Sequence, residues 1–266
     1  MAEYIKILND NKVTIIDDSY RNFHLINKFV REVASSDPLP PAVLSVSGYV
    51  KCHVLNVTSL QRPIVVFTGV SVMQVRYEET STNNWKITVI FDTLDDQGGF
   101  KYKNTFPFTK ATYYVFGLIT LLESGHSPKL LIKNGKGEIV FSNSHNPLKV
   151  VKAETFYLKG SANYFSSWLS DIPDYNANKT YGLALACPAH YEYYWGAGGL
   201  SSYMHSYCTI KTNSYSDPTF SGKILRGYTI LANGMNTSAS LYSPFHSHLI
   251  VDITGFKKPL IRGFHV

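Results

Sequence analysis

The chain is short of cysteine, of charge and of long apolar runs, and each shortage excludes something. Cys52, Cys187 and Cys208 are the three cysteines in 266 residues, too few and too odd in number for a disulfide framework. Buried free thiols are therefore expected, with a Cys187 to Cys208 bond open only if the two lie on adjacent strands. No apolar stretch approaches the ~18 residues of a membrane-spanning helix, and Met1-Ala2-Glu3-Tyr4 does not begin a charged-then-apolar leader. The expectation is a chain folded in a cytoplasm, with no membrane insertion. Charged residues make up 17% of the chain, low for a helical soluble protein and ordinary for a sheet protein with a Ser, Thr, Tyr and Asn surface. The 25 Lys and Arg against 19 Asp and Glu leave a net charge of +6. These cations are scattered, with Lys101 and Lys103 or Lys257 and Lys258 the nearest to clusters, so no basic stripe is present to follow a phosphate backbone. No nucleic-acid partner is expected.

Catalytic signatures are missing too. There is no Gly-x-Ser-x-Gly elbow, no phosphate-binding loop, no His-Glu-x-x-His and no Cys-x-x-Cys. Gly196-Ala197-Gly198-Gly199 lacks the Lys-Ser/Thr of a phosphate loop and reads as a loop or tight strand crossing. The acid groups Glu78 with Glu79, Asp92 with Asp95 and Asp96, and Asp171 with Asp174 stand in turn-like contexts, where Asp bonds its own backbone. Nothing in their spacing sets two carboxylates across a glycosidic bond. Neither a catalytic residue nor a cofactor is expected.

Short strand signals fill the chain. Runs at Val43 to Val50, Val54 to Val57, Ile64 to Phe67, Val70 to Val75, Trp85 to Phe91 and Tyr113 to Phe116 are rich in Val, Ile, Tyr and Phe, and Gly, Pro, Asn, Asp or Ser separates them. Such a pattern predicts an all-β fold of the sandwich or barrel kind. Only Asn27 to Ser35 and Asn163 to Leu169 read as short helical turns. Residues 36 to 42, SDPLPPA, carry three prolines and read as a rigid connector.

Residues 4 to 27 are loosely replayed 125 positions later by residues 129 to 152. In the first copy Ile5 and Ile7 alternate with polar neighbours, Asn9-Asp10-Asn11 makes the turn, and Val13 and Ile15 lie on the return strand. In the second, Leu130 and Ile132 lead into Asn134-Gly135-Lys136-Gly137, followed by Ile139 and Phe141. Both are hairpins by pattern. Ile7 and Ile132, Asn9 and Asn134, and Ser19 and Ser144 are identical in the ungapped pairing. The repeat, with the polar segment from Leu122 to Pro128, divides the chain into two tandem β-sandwich-like domains, 1–125 and 126–266, each opened by a related hairpin.

Two groups of residues are candidates for a site. Residues 191 to 207, YEYYWGAGGLSSYMHSY, combine large rigid rings with Ser, Gly and Asn-type adaptability, the composition of antibody contact loops. Tyr191, Tyr193, Tyr194, Trp195, Tyr203 and Tyr207 are the candidate receptor-binding residues, although alternation at Tyr191, Tyr193 and Trp195 would equally fill a core. His246-Ser247-His248 places two imidazoles on one face of a strand. Three such strands around a threefold axis would offer six nitrogens to a transition metal, so His246 and His248 are the candidate metal ligands.

The opening hairpins resemble a pattern of tail-associated proteins of tailed bacteriophages. Tyr4, Ile7, Asn9, Asp10, Asn11, Val13, Ile16, Asp17, Asp18, Tyr20 and Asn22 carry it in the first copy. Asn134, Gly137, Ile139, Phe141 and Ser144 carry it in the second, after Tyr113-Tyr114-Val115-Phe116. Ile5 stands where the pattern has Gly, and Ser142 where it has Asp. The resemblance covers about 60 of the 266 residues. It implies a non-enzymatic structural virion component of the tail tip, baseplate or fibre, assembled in the host cytoplasm. The implied form is a homo-oligomer compatible with threefold or sixfold axes, in contact with other tail proteins. With the Tyr-rich segment, the expected function is binding of a bacterial surface glycan or protein. A purely structural baseplate role and, from another class, a glycan depolymerase are the alternatives.

Overall fold

From Trp85 to Val89 large apolar residues alternate with Lys86 and Thr88, and Ile90 and Phe91 continue apolar; the run becomes the middle strand of a three-stranded ladder, with a period of two along its first part. The computed structural model describes residues 6–8, 14–17, 22–40, 50–92, 109–118, 130–142, 146–157, 168–171, 176, 178–187, 190–197, 200–212, 223–233 and 245–256. Its strands in the first half are β1 (Lys6–Leu8), β2 (Thr14–Asp17), β3 (His24–Glu32), β4 (Val50–Thr58), β5 (Ile64–Thr68), β6 (Ser71–Ser81), β7 (Asn84–Asp92) and β8 (Lys110–Gly117). In the second half they are β9 (Leu131–Lys133), β10 (Ile139–Ser142), β11 (Val150–Tyr157), β12 (Trp168–Asp171), β13 (Tyr181–Cys187), β14 (His190–Ala197), β15 (Leu200–Thr212), β16 (Lys223–Asn233) and β17 (Phe245–Asp252). β1, β2, β12 and β14 to β16 are known by their backbone and register. The fold is all-β, built of antiparallel sheets, with no helix among the described residues.

One expectation is corrected here. Asn27 to Ser35 does not form helical turns: residues through Glu32 belong to β3, paired along its length with β8, and a turn follows in which the Ser35 N–H donates to the Glu32 carbonyl. Ile26, Phe29 and Val30 favour a pleated surface, and the ladder with β8 satisfies a backbone that a short helix would leave exposed. Of Asn163 to Leu169, residues 168 and 169 lie in β12, and 163–167 fall outside the described residues. So do residues 43–49 of the first expected strand and the polar segment 122–128.

Two large sheets carry the chain. The six-stranded sheet runs β11-β17-β13-β5-β8-β3; the seven-stranded sheet runs β12-β16-β15-β6-β7-β4, with β14 added beside β15. Each sheet mixes strands of both halves, three and three in the six-stranded sheet and three of the first half with four of the second in the other. They join at β5 and β13 through Phe67 opposite Leu183, and at β6 and β15 through Val72 opposite Ile210. The pairings of one half recur in the other. The ladders β3 with β8, β8 with β5, β4 with β7 and β7 with β6 reappear as β11 with β17, β17 with β13, β12 with β16 and β16 with β15. The order along the chain is kept, and among the described strands β14 has no counterpart. The hairpins recur as well: Lys6–Leu8 as Leu131–Lys133 and Thr14–Asp17 as Ile139–Ser142, each displaced by 125 positions.

Both sheets contribute to one core. Val65, Phe67, Tyr113, Val115, Leu183, Leu185 and Ile250 of the six-stranded sheet cluster with Leu55, Val57, Val72, Ile87, Val89 and Phe91 of the other. Burial of each large apolar side chain in it contributes about 1.5–3 kcal/mol. A second cluster covers the opposite face of the six-stranded sheet, where Phe256 packs against Tyr114 and Phe116, beside Leu25, Val66, Ala184 and Val251. Gly182 is required there, since a Cβ would stand 2.5 Å from Val66 Cγ1.

Local chemistry explains the two best-defined connections. In the second hairpin Asn134 Oδ1 accepts from the N–H groups of Lys136 and Glu138, both at 3.0 Å, and Gly137 takes a φ of 80°. This is the Asn-and-Gly turn its sequence predicts. The hairpin packs on the start of β3: Asn22 donates from its backbone and its side-chain amide to the Val140 carbonyl, and Ser142 N–H donates to Nε2 of the buried His24. The connector after β3 is held by the buried His53 of β4. Its Nε2 lies 2.7 Å from the Ser35 carbonyl and its Nδ1 2.7 Å from the Tyr113 hydroxyl. A carbonyl only accepts, so Nε2 carries the proton and Nδ1 accepts from Tyr113. The neighbouring Cys52 is a buried thiol, in contact at 3.3 Å with the carbonyls of Asp37 and Pro38.

Candidate functional site

The unmatched strand β14 carries most of the predicted aromatic set. Its ladder with β15 runs in unbroken register from His190 opposite Tyr207 to Ala197 opposite Leu200. All six candidates fall on this hairpin: Tyr191, Tyr193, Tyr194 and Trp195 on β14, Tyr203 and Tyr207 on β15. Residues directly opposite in an antiparallel pair share a face, and neighbours along a strand alternate. One face therefore holds the positions of Tyr191, Tyr193 and Trp195 with Ser206, Met204 and Ser202. The other holds His190, Glu192 and Tyr194 with Tyr207, His205 and Tyr203. The six candidates are thus divided three and three. β15 meets β16 only from Met204 onward, so in the described ladders Leu200 to Tyr203 pair with β14 alone.

The two predicted metal ligands lie on β17. His246 is opposite Phe156 and His248 opposite Glu154 on β11. His248 is fully buried two residues before Ile250, on the face turned to the shared core, and its Nε2 lies 3.2 Å from Glu154 Oε2. Lys152 Nζ meets the other oxygen of the same carboxylate. Among the described residues no three His, Cys, Asp or Glu side chains converge as a metal site.

Glu154 and Lys152 had no signal of their own in the sequence, but the repeat marks them. Phe29 stands opposite Tyr113 in the first half, and 125 positions after Phe29, at the equivalent place on β11, Glu154 stands opposite His248. A buried tyrosine beside a partly buried phenylalanine in one half is a buried imidazole beside a partly buried carboxylate in the other. His53 and Tyr113 also escaped notice, because a lone His and a Tyr in strands read as ordinary core. Burial pushes the His53 pKa down, although the Ser35 and Glu32 carbonyls and Asp37 oppose it, and burial pushes the Tyr113 hydroxyl well above its ordinary range. Both therefore stay neutral around pH 7, as hydrogen-bonding anchors.

Compared with known proteins, the chain matches no family model, no curated protein and no solved structure. Function is therefore argued from the site itself.

Proposed function

We propose that this chain is a non-enzymatic structural component of a bacteriophage tail, at the tail tip, baseplate or fibre, that binds the host surface through the β14–β15 hairpin. The observation that carries this reading is the hairpin itself: it gathers all six aromatic candidates, and its β14 breaks an otherwise matched strand order. The matched order supports two tandem sandwich-like modules, 1–125 and 126–266, that arose by duplication and fused side by side through β5 with β13 and β6 with β15. An added strand in one copy of a duplicated scaffold is where new specificity accumulates without disturbing the core. The tail assignment rests on the hairpin pattern around Asn9-Asp10-Asn11 and Asn134 to Gly137. With it come assembly in the host cytoplasm, contact with other tail proteins, and a homo-oligomer, trimeric or compatible with sixfold symmetry, that multiplies weak contacts into firm attachment.

Purified full-length protein incubated with bacterial cells tests this. Binding without release of reducing sugar ends is the expected result. Release of reducing ends would establish a depolymerase instead, and incorporation into tails without cell binding would leave only the structural role.

A further inference from the structure

Resting on the homo-oligomer proposed above, we infer that the first hairpin, β1–β2, of one copy docks on the start of β11 in a second copy, against Lys149 and Val150. The seat is recognised from its equivalent in the first half. There the second hairpin, β9–β10, sits on the start of β3. Asn22 donates from its backbone and its side-chain amide to the Val140 carbonyl, Ser142 N–H donates to Nε2 of His24, and the Phe141 and His24 rings have their centres 6.1 Å apart. His24 and Leu25 are 0% and 1% exposed. The positions 125 residues on are Lys149 and Val150, and the backbone keeps the correspondence: β3 bulges against β8 between Leu25 and Asn27, and β11 against β17 between Val150 and Lys152. The two seats adjoin, since Leu25 N–H donates to the Asn146 carbonyl and Leu148 N–H to the Phe23 carbonyl. Yet Lys149 is exposed, and Val150 is 47% exposed.

The two pairings differ in chemistry. Carried back by 125 positions, Val140, Phe141 and Ser142 of the second hairpin become Ile15, Ile16 and Asp17 of the first, with Asp18 next. The apolar positions are kept and the polar end turns acidic. On the seat side Asn22 becomes Pro147, which has no N–H, and His24 becomes Lys149, whose side chain has no acceptor. The hydrogen bonds that fix the second hairpin within its own chain therefore cannot be repeated in the second half. Opposite charge takes their place. A hairpin ending in Asp17-Asp18 fits a seat whose cation, Lys149, is exposed beside an apolar Val150, whereas Ser142 meets an imidazole nitrogen that accepts and so carries no proton. A second copy's hairpin completes the exposed seat by exchange of an equivalent element, a low-cost route to assembly. The opposite charges steer its approach and fix its register.

The test follows self-association of the full chain by light scattering and sedimentation over a concentration series, with three variants. Asp17→Lys and Lys149→Glu each set like charges across the contact, and Val150→Asp removes its apolar part. Lys149 and Val150 are exposed, so their variants should melt close to the wild type. Each of the three should associate more weakly by about tenfold or more. An equimolar mixture of Asp17→Lys and Lys149→Glu should return to within about threefold of the wild type. In that mixture each hairpin faces the opposite charge on the other chain and a like charge on its own, so a contact within one chain cannot respond to mixing. Unchanged association in the variants, or weakened association that mixing does not restore, overturns the inference and leaves the homo-oligomer in place. A wild type that stays monomeric at every concentration overturns the homo-oligomer with it.

Discussion

In the first half of the molecule Phe29 stands opposite Tyr113; in the second, Glu154 stands opposite His248. The ladders are equivalent and the chemistry is not. Tyr113 is fully buried and donates its hydroxyl proton to His53, whose other ring nitrogen donates to the Ser35 carbonyl, so in the first half rings fill this position and a short internal hydrogen-bond chain satisfies them. At the matching position the second half holds a buried imidazole beside a partly buried carboxylate that also meets Lys152. Taking polar groups out of water is costly unless partners satisfy them. One topology thus tolerates both solutions, and the half with the polar interior is also the one with the extra strand β14.

The largest expected effect concerns whether the halves fold as one. Phe67→Ala should cost about 3–5 kcal/mol, and Leu185→Ala, at the matching inner position of β13, about 2–4. Both should shift a single urea transition, because the two residues share a cluster and their strands pair at Phe67 and Leu183. Two separate transitions, each moved by only one variant, would break the continuous-sheet description.

Next comes the exchanged pair. Glu154→Phe alone should destabilise by about 3 kcal/mol, since it leaves His248 and Lys152 without their carboxylate. Adding His248→Tyr recreates the pairing of the first half and should recover at least about 1 kcal/mol in a double-mutant cycle. Additive losses would show that the two ladders are not equivalent in packing.

His53 gives a smaller effect with a pH signature. His53→Gln should cost about 1–3 kcal/mol at pH 7, through poorer partners for Tyr113 and the Ser35 carbonyl. Because burial lowers its pKa in the fold, its contribution is complete above about pH 6.5, where the unfolded imidazole is also neutral. That contribution declines as the pH falls below 6.5, where the unfolded chain takes up the proton first. Stability between pH 6.5 and 5 should therefore fall more steeply in the wild type than in His53→Gln, and parallel slopes would contradict the assignment. The smallest effect is at the β6–β7 turn. Asn83 has a φ of 65°, which Gly adopts freely, so Asn83→Gly should change stability by less than about 1 kcal/mol.

Much of this was legible in the sequence because strand signals are local. Ile64 to Phe67, Trp85 to Phe91 and Tyr113 to Phe116 alternate or run apolar; the first two became strands of nearly the expected extent, and the third lies within the longer Lys110–Gly117. The Asn134 to Gly137 turn was readable because Asn and Gly act on their own backbone. Asn27 to Ser35 was misread because nine residues without clear periodicity take their structure from the partner strand, here β8, whose paired residues run from Val115 opposite Asn27 to Lys110 opposite Glu32. The mirrored pairing of the halves was hidden for the same reason: a hairpin reveals itself, a joint between β5 and β13 does not. At the candidate site, composition marked the six aromatic residues. Their division into two faces depended on register, which shifts every side chain when it slips by one residue.

The most direct measurement of the account replaces residues 188–199 by a short turn, which gives the second half the same strands as the first, and compares melting and cell binding with the full chain. The account predicts a single cooperative melt and loss of cell binding. Retained cell binding in a folded protein would contradict it.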